Sequence, residues 1–193
     1  MLDNDTLDTL FREARSHNGW LDQTVDNEQI NQLYELMKYG PTAANNSPAR
    51  ITFVKSDAAK QKLKAHLDEG NVDKAMAAPV IAIISYDVEF YEKLPFLFPH
   101  ADARSWYAGN DAKIKSAGEM NATLQGAYFM IAARAVGLDC GPMGGFNSKT
   151  LDKEFFADGK TKSIFLCAIG HGDNTKIFPR SPRLSFDEAC DIV

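Results

Sequence analysis

Gly137-Leu138-Asp139-Cys140-Gly141-Pro142-Met143-Gly144-Gly145-Phe146 is the stretch on which the reading of this chain turns. Four glycines and a proline fall within ten residues, directly after a long apolar run at helical spacing. A residue without a Cβ reaches left-handed conformations and lets the backbone approach a flat group closely. Pro142 fixes its own φ and removes one N–H. Two readings stand on these residues alone. One is a helix C-cap at Gly137 followed by a tight turn. The other is a rigid edge of backbone donors laid along a planar heteroaromatic ligand.

Upstream, Ser116-x-x-Glu119 has the form of a capping box and predicts a helix through Met120, Leu124, Tyr128, Met130, Ile131 and Val136, ending at Gly137. Its apolar residues spread around much of the circumference, which predicts a central helix buried on most sides. Pro79–Ser85 is β-branched and apolar throughout and predicts a strand covered on both faces. Ile51–Val54 and Ser163–Ile169 read as further buried strands. Leu7, Leu10, Phe11 and Ala14 form one helical stripe, and Ile30, Leu33, Tyr34 and Met37 another. Asp26-x-x-Gln29 caps the second, and Gly40-Pro41 stops it. Ser56 opens a third helix with Ala59, Leu63 and Leu67 on one face. Residues 88–110 are rich in aromatics and proline without a period, which predicts an irregular excursion holding a short helix. Ser185-x-x-Glu188 caps a last short helix. Helices and strands mix around a small sheet without regular alternation, so the expected class is α+β, with residues 1–193 as one domain.

Composition narrows the function. Apolar residues make up 45% and charged residues 24%, as in soluble globular proteins. The net charge of −5 argues against general binding to nucleic acid or anionic membrane, while leaving room for a local basic pocket. Cys140, Cys167 and Cys190 form no C-x-x-C pair, and the four histidines show no metal-ligand spacing, so no metal site is expected. The odd cysteine count and the acidic start Met1-Leu2-Asp3-Asn4-Asp5 fit a cytoplasmic protein. No dinucleotide fingerprint, P-loop or nucleophile elbow is present. Cys140 reads as a buried structural thiol rather than a nucleophile.

Three polar clusters remain. Arg15-Ser16-His17-Asn18 offers a guanidinium fork and a hydroxyl suited to phosphate, or is a solvated helix end. Pro41-Thr42-Ala43-Ala44-Asn45-Asn46-Ser47-Pro48 is an ordinary loop, or a set of amides that reads the edge of a flavin or pyrimidine ring. Gly170-His171-Gly172-Asp173 leads from a strand to Arg180-Ser181-Pro182-Arg183, two arginines that suit a phosphate, although Arg180 reads as a surface charge.

In this order along the chain, the clusters resemble the nitroreductase superfamily of flavin enzymes. The matching elements are Arg15-Ser16-x-Asn18, Pro41-Thr42-Ala43-x-Asn45-x-Ser47-Pro48, Gly137-Leu138 through Pro142-Met143-Gly144-Gly145, and Arg183-x-x-Phe-Asp-Glu. Arg15-x-His17-Asn18-Gly19-Trp20, Asn45-x-Ser47-Pro48-Ala49-Arg50 and Asp102-Ala103-Arg104-Ser105-Trp106 are similar to its RutE/HadB-like branch, which includes a malonic semialdehyde reductase of bacterial pyrimidine degradation. Asn18 stands where many superfamily members carry a basic residue, and Ser47 where many carry glutamine; both agree with that branch.

The resemblance implies a three-layer α+β fold, a central, mostly antiparallel sheet flanked by helices, and an intertwined homodimer with one FMN per subunit at the interface. It implies that Arg15, Ser16, Asn18 and Arg183 meet the flavin phosphate and ribityl chain. Thr42, Ala43, Asn45 and Ser47 would come from the second subunit, and Pro142, Met143, Gly144 and Gly145 would run along the ring. The implied reaction is ping-pong hydride transfer from NADPH or NADH through flavin N5, with no catalytic side chain required. The branch implies malonic semialdehyde as acceptor, its carboxylate held by Arg104 or Arg50. The alternatives are a broad reductase of nitroaromatics, quinones or enones, and a flavin-binding module without turnover.

Overall fold

The computed structural model describes residues 1–193. Its four strands are β1 (Ala49–Val54), β2 (Val80–Asp87), β3 (Asp139–Met143) and β4 (Thr161–Gly170), in the order β1-β2-β4-β3, every neighbouring pair antiparallel. Strand β2 is the apolar run read as central, and all but its last residue are buried. Period-two alternation divides its side chains between two cores. Val80, Ala82 and Ile84 join Leu33, Met37, Phe129, Ala132 and Ala133 on one face, whereas Ile81 and Ile83 join Leu63, Ala75 and Leu151 on the other.

The first of these faces is covered by α2 (Asn27–Met37) and α6 (Asp111–Ala135). The second is covered by α3 (Asp57–Lys64), α4 (Glu69–Ala77) and α7 (Ser148–Phe155). The three-layer, antiparallel α+β architecture follows directly. Short pieces complete the chain: α1 (Asn4–Leu7), α5 (Leu94–Leu97) and α8 (Phe186–Ala189). No helix is long and apolar enough to cross a membrane.

Several local signals act as read. The Asp26–Gln29 box closes in both directions, Gln29 N donating to Asp26 Oδ1 at 2.8 Å and Asp26 N to Gln29 Oε1 at 3.2 Å. Ser185 N donates to Glu188 Oε2 at 2.9 Å. The 88–110 excursion is irregular and carries its own small core of Phe90, Leu94, Ala103, Tyr107 and Ile114.

Others differ. Helix α6 starts at Asp111, because Asn110 Oδ1 already accepts from Lys113 N at 3.0 Å; Ser116-x-x-Glu119 lies inside the helix. Its sheet-facing side is not the apolar set but Gly118, Asn121, Ala122, Gln125, Gly126 and Phe129, while Met120, Leu124 and Tyr128 are exposed. A Cβ at Gly118 would lie 2.4 Å from the Tyr86 ring, and one at Gly126 2.6 Å from the Phe165 ring. Large sheet residues therefore occupy the space that α6 side chains would need. The face read from Ala59 to Leu67 is broken: α3 ends at Lys64, and Leu67 instead bridges to Phe146. Helices α4 and α7 were not anticipated. The first stripe forms α1 and a wider π turn over Asp8–Arg12, yet buries none of its residues.

The opening stretch is half cap and half strand. Gly137 has φ +80° and closes α6, with Leu138 N donating to Ala133 O at 2.9 Å. Asp139–Met143 is then a paired strand rather than a loop. Pro142 is tolerated because β3 lies at the sheet edge, where one row of N–H groups has no ladder partner. Replacing Gly126 by valine is expected to lower stability by about 1–3 kcal/mol through overpacking against Phe165. A lower denaturant midpoint with an unchanged m-value would show this.

Candidate functional site

The segment from Arg15 to Leu21 lies along the edge of β3. Ser16 forms a parallel bridge with Cys140, and His17 N donates to Cys140 O at 2.9 Å. Gly141 permits this contact, since a Cβ there would sit 2.5 Å from His17 O. The residues after β4 hold the segment from its other end. Leu21 N donates to His171 O at 2.8 Å, and Asp173 N to Gly19 O at 3.0 Å.

The exposed C-terminal arm then crosses back. Arg15 donates to Phe178 O, and Arg180 Nη2 to Ala14 O at 3.2 Å. Between the arm, the N-terminal segment and the end of α6 lies a cavity of about 680 Å³, lined by Arg15, Ser16, Asn18, Arg134, Arg180 and Arg183 together with Phe11, Ala14, Phe178, Pro179 and Ser181. No carboxylate lines it. The chain's arginine ion pairs belong to Arg12, Arg50 and Arg104, so the four cavity guanidiniums are uncompensated. Arg134 spends one donor on Leu10 O at 3.0 Å, and Arg183 one on Ser181 O at 2.9 Å and Pro182 O at 3.1 Å. A guanidinium has five N–H donors, so donors remain for a ligand. In a chain of net charge −5, these four arginines concentrate positive charge on one cavity.

Arg15, Ser16, Asn18 and Arg183 thus line one cavity. Arg180, read as a surface charge, lines the same cavity. Arg134 was missed. A cation in the last turn of a helix is accounted for by the helix dipole, so its sequence position signalled nothing more.

Thr42, Ala43, Asn45 and Ser47 do not line this cavity. They form a tight turn in which Ala44, Asn45 and Ser47 hold positive φ (50°, 51° and 37°). Such backbone is strained and persists only where its surroundings over-determine it. Here Ala43 N donates to Asn121 Oδ1 at 2.8 Å, Ser47 N to Thr42 Oγ1 at 3.1 Å, and Asn45 Nδ2 to Leu97 O at 2.8 Å. Ser47 lines a different cavity of about 530 Å³, with Tyr34, Arg50, Phe53 and Gln125.

Within Pro142–Gly145 the residues differ in kind. The Met143 side chain is buried in the core, leaving only its backbone for a ligand. Gly145 O accepts from Asp68 N at 3.1 Å and Asn71 Nδ2 at 2.9 Å, and the space for a Cβ is filled by those two side chains. A Cβ at Gly144 would meet nothing within 4 Å.

The two arginines considered for a substrate carboxylate already have carboxylates. Arg104 grips Glu92 through Nε and Nη2, both at 2.7 Å, and that hydrogen bonding holds the Glu92 carboxyl below its usual range. Arg50 Nη2 reaches Asp87 Oδ2 at 2.7 Å, and its Nη1 donates to Ala49 O at 2.8 Å. Cys140 and Cys167 are fully buried, and the hydrogen bond to Cys140 together with burial pushes the Cys167 thiol well above its usual value. Neither has the character of a nucleophile.

The chain matches the model of the nitroreductase family over residues 11–171. It is 55% identical over 192 residues to a protein of Ralstonia nicotianae that carries the provisional name NADH dehydrogenase/NAD(P)H nitroreductase, covering 100% of this chain and 98% of that one. HadB of Ralstonia pickettii carries the same provisional name and is 54% identical over 191 residues, 97% of each chain. A crystal structure from Exiguobacterium sibiricum, titled as a nitroreductase in complex with FMN, superposes with a TM-score of 0.86 at 17% identity, over 100% of this chain and 99% of that one. Matched to that family model over most of its length, and more than half identical to these relatives along nearly their whole length, the chain belongs to the nitroreductase family.

Proposed function

We propose that this chain is an FMN-dependent NAD(P)H oxidoreductase that works as a homodimer, with each FMN at a junction between the two copies. The carboxylate-free arginine cavity carries the reading. A phosphomonoester at neutral pH brings roughly −1.5 to −2 of charge and three acceptor oxygens. Arg15, Arg134, Arg180 and Arg183 match that charge, and Ser16 and Asn18 add neutral donors. The free space beside Gly144 fits a flat ring laid against backbone.

Arg15, Ser16, Asn18, Arg134, Arg180 and Arg183 would therefore hold the phosphate and ribityl chain. Pro142, Met143, Gly144 and Gly145 would lie along the ring through their backbone. Thr42, Ala43, Asn45 and Ser47 lie outside the cavity of their own chain, which supports their serving the FMN of the second copy. The exposed row Met120, Leu124 and Tyr128 on α6 offers that copy an apolar surface. When bound, FMN supplies the two-electron chemistry that links NAD(P)H oxidation to reduction of an acceptor. The chain itself binds, orients and shields, and ping-pong kinetics are expected.

For the acceptor, the branch likeness supports malonic semialdehyde, reduced to 3-hydroxypropionate during pyrimidine breakdown. One observation favours a second reading, reduction of nitroaromatics, quinones or enones: Arg50 and Arg104 already face Asp87 and Glu92. Anaerobic reduction by NADH or NADPH, followed by mixing with each acceptor, separates them. Reoxidation by malonic semialdehyde no faster than without it would remove the first reading. Yellow protein that NADPH and NADH fail to bleach would reduce the function to flavin binding.

Arg134→Gln and Arg180→Gln are each expected to weaken FMN binding about tenfold to a hundredfold, the range of one charged hydrogen bond. Riboflavin, which lacks the phosphate, should bind these variants and the parent protein alike in a fluorescence titration. Gly144→Val should keep the parent melting temperature of the FMN-free protein and lose FMN. Parent-like FMN affinity in that variant would show that the ring lies elsewhere.

A further inference from the structure

Helix α6 carries two buried amides on its sheet-facing side, Asn121 at 1% exposed and Gln125 at 5%. An amide in such a place is costly unless its atoms are bonded. Both side chains spend their oxygens on another segment of chain. Asn121 Oδ1 accepts from Ala43 N at 2.8 Å, and Gln125 Oε1 from Ala49 N at 2.9 Å. Asn121 Nδ2 donates to Ala117 O at 2.8 Å, one turn back in its own helix, which fixes the orientation of the amide. At the entry to the same segment, the Tyr128 ring fills the space beside Gly40, where a Cβ would sit 2.7 Å from its Cγ. One helix thus holds the 40–49 segment at Gly40, Ala43 and Ala49. Between the two amide contacts lie Ala44, Asn45 and Ser47, all with left-handed backbone. Ala43 and Asn45 are exposed. A strained turn that is held this firmly and still presents residues outward has the form of a preset contact surface.

The exposed row of α6 gives this turn its place. Met120 directly precedes Asn121, Leu124 directly precedes Gln125, and Tyr128 completes the row. The helix turns that grip the 40–49 segment therefore also carry the apolar surface offered to a second copy. We infer that Asn121 is a positioning residue that acts across the dimer: its amide in one copy sets the Thr42–Ser47 turn that meets the flavin ring held by the other copy. Gln125 fixes the far end of the same segment. The inference rests on the FMN homodimer reading above, and adds the residue that shapes the turn and the subunit in which its effect is felt. Each site then has two origins. Its phosphate end belongs to the arginine cavity of one chain, and the turn against its ring is set by α6 of the other. Damage at Asn121 leaves the cavity of its own chain intact and impairs the site on the second copy.

The test uses full-length, FMN-free protein and fluorescence titration with FMN and with riboflavin. Asn121→Leu replaces the amide by an apolar group of the same branched shape. It should weaken FMN and riboflavin alike, each about tenfold to a hundredfold, the range of one N–H left without its buried acceptor. Arg134→Gln and Arg180→Gln, in contrast, spare riboflavin. Mixed dimers, pairing one Asn121→Leu subunit with one Arg134→Gln/Arg180→Gln subunit, are then isolated through two different affinity tags. In such a dimer one site combines an intact cavity with an intact turn, and the other combines both defects. The titration should therefore show one FMN of parent affinity per mixed dimer, a site that neither variant homodimer has. If Asn121 acts only within its own subunit, no site of parent affinity appears, and that result overturns the inference. Parent-like binding of both ligands by Asn121→Leu, or weakening of FMN alone, overturns it too. If Asn121→Leu does not fold, Ala43→Pro takes its place in the mixed dimer, removing the same hydrogen bond from the exposed side. Thr42 is already extended (φ −135°, ψ 156°), as suits the residue before a proline. A parent protein that binds no FMN defeats the FMN reading instead, and one that binds FMN as a monomer defeats the homodimer reading.

Discussion

The close approach of α6 to the sheet is the constraint on which the rest of the molecule depends. Tyr86 and Phe165 project from the sheet into space that side chains at Gly118 and Gly126 would need. Glycine at both positions lets the helix backbone settle against those rings. Because the helix sits so low, Asn121 and Gln125 on the same face reach the chain between Ala43 and Ala49 and bind its N–H groups at 2.8 and 2.9 Å. Those bonds hold a turn with three left-handed non-glycine residues. Further along the same helix, Arg134 reaches the cavity, and Gly137 hands the chain to β3. One packing decision therefore positions a strained loop, an arginine and the edge strand.

The electrostatics of the cavity arise from distance along the chain being erased. Arg15 and Arg183 are far apart in sequence, and Arg134 belongs to another layer. Reciprocal bonds, Arg15 to Phe178 O and Arg180 to Ala14 O, tie the two chain ends across the opening. Backbone carbonyls accept these bonds without neutralising the charge. The result is a pocket of concentrated positive charge in a chain whose net charge is −5.

Much of the fold was legible because local chemistry dictated it. The Pro79–Ser85 run has no polar face, so it had to be covered on both sides. Asp26 and Gln29 satisfy each other at a spacing set by the helix turn alone. The start of α6 was misplaced because two cap signals compete there, and Asn110 acts first. Its buried face was misjudged because burial there is decided by rings on the opposing sheet, not by the hydrophobicity of the helix. Arg15, Ser16, Asn18 and Arg183 were legible as donors suited to a phosphate. Arg134 and Arg180 were not, since a helix-end cation and a loop cation each have a sufficient local explanation.

The sequence by itself determined the α+β class, the central strand, the caps at Asp26 and Ser185, and the donor-rich segments. Those are properties of neighbouring residues, where periodicity, propensity and hydrogen-bonding valence act within a turn or two of chain. Only the tertiary structure decided which charges converge and which are spent. Arg50 and Arg104 are neutralised by Asp87 and Glu92, while Arg15, Arg134, Arg180 and Arg183 are left without an acid. The physical reason is that a charge acquires its function from the charges beside it in space, and packing of the layers alone sets those distances.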